Sequence, residues 1–155
     1  MDHTFFLKRC LELAASSRQN GNHPFGSLIV NEHGSIIMEA ENTVVTEKDI
    51  SGHAELNVVR AAAEKFDANI LTKATLYTST EPCAMCCGVI YWSGISRVVY
   101  ALSGQKMYEH LPKNPTGMRL HLPCRNVFEN GDRKVEVIGP LLEEEAKQVH
   151  IGFWK

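Results

Sequence analysis

Three absences narrow the field before any motif is considered. No apolar run approaches the ~18 residues of a membrane span, and the N-terminus, Met1-Asp2-His3-Thr4-Phe5, lacks the charged-then-apolar pattern of a signal peptide. Cationic excess is missing too: the net charge is −2 and the lysines and arginines are scattered, without the electrostatic footprint of a strong nucleic-acid binder. The five cysteines are an odd set, which offers no disulfide framework and fits a reducing compartment. No internal repeat, low-complexity tract or interdomain linker interrupts the chain. These absences predict a cytoplasmic protein with small-molecule partners, no membrane and no nucleic acid among them, folded as one domain over residues 1–155.

What is present is an ordinary soluble composition, 44% hydrophobic and 22% charged, enough for a substantial core. Asp2 is placed to cap a first helix reaching about Asn20, with Phe6, Cys10, Leu13 or Ala14 and Ser17 at helical spacing and Gly21 as its stop. Residues 26–30 and 35–40 are short apolar runs around Glu32-His33-Gly34, the pattern of a strand hairpin. A polar loop over 42–52 precedes a second helix over 53–66, in which Leu56, Val59 or Arg60, Ala63 and Phe66 share one face. Residues 74–80 predict a third strand, 83–93 a helix, 97–102 a fourth strand and 134–138 a fifth, with an amphipathic helix over 141–154.

The last two strands are separated by a segment holding Pro112, Asn114-Pro115, Gly117 and Pro123. A gap of that length suits a parallel return, which needs a crossover of a dozen or so residues. The expected fold class is therefore α/β: a three-layer α/β/α sandwich around a five-stranded mixed sheet, its last two strands parallel.

The chemistry lies in two stretches, His53-Ala54-Glu55 and Glu81-Pro82-Cys83-Ala84-Met85-Cys86. A catalytic zinc keeps three protein ligands and leaves its fourth tetrahedral position to water, and His53, Cys83 and Cys86 supply three. Pro82 predicts a helix start that turns both sulfurs to one side, where free amide N–H groups and the helix dipole favour the metal-binding thiolate. Glu55 is too close in sequence to His53 for comfortable ligation of the same ion and is better placed as a base. Zinc lowers the pKa of water to about 7, and a carboxylate beside it can take the proton. A Cys-x-x-Cys alone is often a redox pair, but a thiol oxidoreductase gives His53 no role, and a zinc-stabilised binding pseudoenzyme gives Glu55 none.

His-x-Glu followed by Pro-Cys-x-x-Cys is the signature of zinc-dependent nucleobase deaminases. Over about residues 6–100 the chain resembles the cytidine deaminase-like superfamily, in the branch of guanine, cytosine and tRNA adenosine deaminases. The resemblance implies one Zn2+ per chain, a homodimer, and a reaction that replaces an exocyclic amine with oxygen and releases ammonia. It also places Asn42 where a side-chain amide grips the base, with the Ala54 backbone N–H assisting. Phe25 and Trp92 are the aromatics expected nearest the pocket. Phe25 reads equally as base stacker or core residue, Trp92 as pocket wall or subunit contact.

Pro24-Phe25-Gly26 and Ile90-Tyr91-Trp92 resemble guanine deaminases, which makes guanine the first expected substrate, cytosine or a nucleoside the next, and a tRNA adenosine the last. Glu47 and Asp49 against Lys48, with Glu81 before the cysteines, leave the expected mouth without a positive field for a polyanion. His121 and Cys124 cannot close a second metal site by themselves, and Cys87 points off the ligand face. Glu143, Glu144 and Glu145 read as a solvated acidic first turn, and Phe153-Trp154 as aromatics packed on the domain or on a neighbouring subunit.

Overall fold

The computed structural model describes residues 1–113 and 118–154. Helix α1 (His3–Gln19) starts where the Asp2 carboxylate accepts the Phe5 N–H at 3.1 Å, and it buries Phe6, Leu7, Cys10, Leu13, Ala14 and Ser17. It ends at Gly21, whose φ of 90° suits glycine. Strands β1 (Gly26–Val30) and β2 (Ile36–Glu41) form the expected hairpin, its turn held by the Asn31 side chain accepting the N–H groups of His33 and Ser35. Then come α2 (Ala54–Lys65), α3 (Ala68–Thr72), β3 (Thr75–Thr80), α4 (Ala84–Ser93), β4 (Arg97–Leu102), α5 (Gly104–Tyr108), α6 (Cys124–Glu129), β5 (Glu136–Ile138) and α7 (Glu143–Ala146).

The five strands run in the order β2-β1-β3-β4-β5. β1 is antiparallel to both its neighbours, whereas β3 and β4 are parallel, and β4 and β5 are parallel as the long gap between them predicts. Alternate residues face opposite layers. Leu28, Val30, Tyr77, Val99 and Ala101 pack against α1 and the C-terminal segment; Ile29, Leu76, Val98 and Tyr100 pack against α2, α3, α4 and α6. The pairing of Gly26 with Glu41, and of Thr80 with Leu102, brings the start of β1 and the ends of β2, β3 and β4 to one edge of the sheet. No helix of the described residues is long and apolar enough to cross a membrane.

Several expectations are corrected. The buried stripe of α2 is Ala54, Glu55, Val58, Val59 and Ala62, not Leu56, Arg60 and Ala63, because the sheet lies one residue's rotation away from the face drawn by apolarity alone. Pro82 precedes the cap of α4; the N-cap is Cys83 itself. The fifth strand begins only at Glu136.

The expected helix over 141–154 is a single α turn, α7, followed by a 3-10 turn at Lys147–His150. Leu142 and Gly152 take positive φ at either end of this segment. Arg18 accounts for the early stop: its guanidinium donates to the carbonyls of Val149 and Ile151, both at 2.8 Å, so those oxygens answer to α1 and not to a continuing helix.

Candidate active site and metal centre

His53 and Cys83 are the N-caps of α2 and α4, and Cys86 lies one turn into α4, so two helix starts bring three soft ligands to one point. His53 Nδ1 is 3.5 Å from Cys83 Sγ and 3.5 Å from Cys86 Sγ, and all three ligand atoms lie within 4.8 Å of one another. Zinc bonds of about 2.3 Å to sulfur and about 2.0 Å to nitrogen, at a tetrahedral angle, put such atoms about 3.5 Å apart. The residues therefore fit the metal. Hydrogen bonding by Cys86, opposed by burial and aided by His53, holds the Cys83 thiol down to about 4, so a thiolate stands ready.

Glu55 is almost fully buried on the sheet face of α2, where Thr78 Oγ1 donates to its Oε1 at 3.0 Å. Burial first, and then the charge of Cys83, push its proton affinity above the usual carboxylate range, against the pull of His53 and the Thr78 bond. A carboxyl that holds its proton more readily than usual, beside three metal ligands, suits proton transfer. Thr78 lies two residues before the end of β3, on the α2 face, and no motif in the sequence marks it.

Asn42 follows β2 directly and is 1% exposed. Its backbone N–H donates to Phe25 O at 3.2 Å and its Oδ1 accepts the Val44 N–H at 3.0 Å, while Nδ2 has no protein partner among the described residues. Ala54 N is at the first position of α2, where no intrahelical acceptor exists.

Phe25 is half-buried and joins a cluster of rings: His150 at 5.4 Å, Trp154 at 6.2 Å, and, through Trp154, His23 at 5.2 Å. His23 lies near enough to His53 for the charge of one to lower the proton affinity of the other, after burial has done most of that work. The C-terminal aromatics thus pack on His23 and Phe25 of their own chain, with Arg18 over the Phe153 ring.

Trp92 is not brought to this group. It sits 83% exposed near the C-terminal end of α4, about 12 Å along the axis from the cysteine end at 1.5 Å per residue. Glu81 does not face the mouth either: Oε1 accepts Gly104 N at 3.0 Å and Oε2 accepts Cys124 N at 2.9 Å, tying the metal loop to the starts of α5 and α6. Cys87 is buried with its thiol on Pro82 O, off the ligand set as expected, and burial pushes the Cys124 thiol up to about 12. Glu143 accepts the Ser103 N–H at 3.2 Å and Glu144 pairs with Lys147, so the acidic turn is only partly solvated.

The chain matches the family of the cytidine and deoxycytidylate deaminase zinc-binding region over residues 1–102. It is 38% identical over 149 residues to a probable cytosine deaminase of Schizosaccharomyces pombe, covering 96% of this chain and 90% of that protein. It is 44% identical over 102 residues to a guanine deaminase of Bacillus subtilis, covering 65% of each. Among solved structures, a guanine deaminase from Nitrosomonas europaea superposes with a TM-score of 0.79 at 25% identity, over 96% of this chain and 82% of that one. With the ligand triad, the mixed sheet and the family match in agreement, the chain belongs to the cytidine and deoxycytidylate deaminase zinc-binding family and is a zinc-dependent hydrolytic deaminase.

Proposed function

We propose that the substrate is a free nucleobase or a similarly small amino-heterocycle, guanine first. When bound, zinc supplies an activated water and positive charge for the oxyanion that develops on attack. Glu55 takes one proton of the attacking water and delivers it to the ring nitrogen next to the amine-bearing carbon; it then takes the proton of the added hydroxyl and passes it to the amine, which leaves as ammonia as the carbonyl forms. Thr78 orients its carboxyl for both transfers. Asn42 Nδ2 and Ala54 N are donors for acceptor atoms on the base, and Phe25 supplies a flat apolar contact for the ring.

The observation that carries the reading is the rim. His150, Phe153 and Trp154 pack onto His23 and Phe25, and His23 is near enough to His53 to feel its charge, which supports placing the base beside these rings. Ribose, or a tRNA loop, would have to share that space. Among the described residues, Arg18, whose guanidinium lies over the Phe153 ring, is engaged by the Val149 and Ile151 carbonyls, and Lys48 stands between Glu47 and Asp49. A free base carries no phosphate and needs no positive field.

A second reading, cytosine, is favoured by identity to the Schizosaccharomyces pombe protein over nearly the whole chain. Ammonia release from guanine, guanosine, adenine, cytosine and an adenosine-containing tRNA stem-loop, measured side by side, tests both. Guanine is expected to react fastest, with guanosine slower. Editing of the stem-loop without free-base turnover would sink the free-base reading, and turnover of cytosine alone would replace guanine.

A further inference from the structure

Glu81 directly follows β3, Cys83 caps α4, and Pro82 alone stands between them. A proline ring fixes its own φ and keeps the preceding residue extended, so little slack separates the two positions. Where Glu81 is held, Cys83 follows.

Glu81 is held on three sides. Its N–H donates to Leu102 O, at the end of β4, at 2.7 Å. Its Oε1 accepts the Gly104 N–H at 3.0 Å and its Oε2 accepts the Cys124 N–H at 2.9 Å. Gly104 and Cys124 are the first residues of α5 and α6, so one carboxylate grips both ends of the excursion that leaves the sheet after β4. Neither N–H has another acceptor at hand. The Ser103 hydroxyl, which caps α5, is engaged by the Lys106 N–H, Pro123 offers α6 no side-chain cap, and Cys124 is 0% exposed. A buried N–H left without an acceptor is costly. Two such donors require two acceptor oxygens on one side chain, and a glutamine would turn its own NH2 on one of them.

The other hold on this stretch comes from α4. The Cys87 N–H donates to Cys83 O at 2.9 Å, as in any first helical turn. Between that bond and Glu81 the chain has little else to fix it, since Pro82 has no N–H and its carbonyl meets only the Cys87 thiol, a weak donor, at 3.5 Å. Bonds from backbone N–H groups to a carboxylate are the stronger kind.

We propose that Glu81 is a positioning residue of the metal centre. By closing on Gly104 and Cys124 its carboxylate sets the place of Cys83 against His53 and Cys86. This role concerns the ligand triad and holds whichever base is deaminated.

The test uses zinc-loaded wild type, Glu81→Gln, Gly104→Pro and Ser103→Ala, each mixed with excess chelator while zinc release is timed. The same proteins reloaded with cobalt(II) give ligand-field bands that report the geometry at the thiolates, and thermal midpoints report folding. Glu81→Gln is expected to release zinc on the order of tenfold faster, the scale seen when the supporting partners of metal ligands are lost, and to shift the cobalt bands. Gly104→Pro removes one of the two N–H groups at a helix position that tolerates proline, and acts in the same direction by less. Ser103→Ala deletes the cap of α5 but leaves Glu81 both partners, so it lowers the thermal midpoint without speeding release.

Wild-type release and unshifted cobalt bands in a folded Glu81→Gln overturn the inference. Release from Ser103→Ala as fast as from Glu81→Gln overturns it too, because general loosening of α5 would then account for both. If Glu81→Gln does not fold, Gly104→Pro decides: faster release with shifted bands supports the positioning role, and release at the wild-type rate ends it.

Discussion

At the scale of single residues, the metal centre is the best-written part of the chain. His53, Cys83 and Cys86 are legible because two ligands share one helical turn and the third sits in a second short motif, so spacing alone predicts their convergence. Residues that act on these ligands from a distance are not legible in the same way. Thr78 reaches Glu55 across 23 positions, Glu81 reaches Cys124 across 43, and Arg18 reaches Val149 across 131; no local pattern announces any of them.

The test at this scale is Glu55→Gln. The amide keeps the shape and can still accept from Thr78, but it cannot carry a proton, so turnover should fall by ~10²–10⁴-fold while about one zinc per chain is retained. Elemental analysis and ammonia release check both halves. Activity near wild type in the zinc-loaded variant would move the proton transfer to another group.

At the scale of elements, Gly26 shows how the site is placed by packing. A Cβ there would lie 2.5 Å from Leu13 Cβ and 2.6 Å from Cys10 O, so only glycine lets α1 lie this close to the start of β1. That close approach is what holds Phe25 and, through its carbonyl, Asn42 at the sheet edge. Gly26→Ala must push α1 away, and a loss of about 1–3 kcal/mol in unfolding free energy is expected, with KM rising as Phe25 shifts. An unchanged denaturation midpoint would show that α1 yields without cost.

Two of the element-level corrections share a physical cause. The face of α2 and the end of the C-terminal segment are both set by tertiary partners, the sheet in one case and Arg18 in the other, and these outvote the local apolar pattern.

At the scale of the whole molecule, the parallel β4–β5 return was legible because crossover length is a geometric constraint that composition cannot disguise. Assembly is less directly written. Phe153 and Trp154 make ring contacts within their own chain and stay partly exposed. Trp92 is more open: it is 83% exposed, in edge contact only with Tyr91, at the end of α4 opposite the metal ligands, and a large exposed indole is an unusual surface to leave in water. The expected outcome is therefore a homodimer that buries Trp92. Sedimentation at micromolar concentration should show a species heavier than the 17.3 kDa chain. Trp92→Glu should shift it toward that mass without loss of zinc, because a charge at the centre of such a contact is costly to bury. A wild-type protein that sediments as a fully active 17.3 kDa monomer would leave Trp92 without a structural role in assembly.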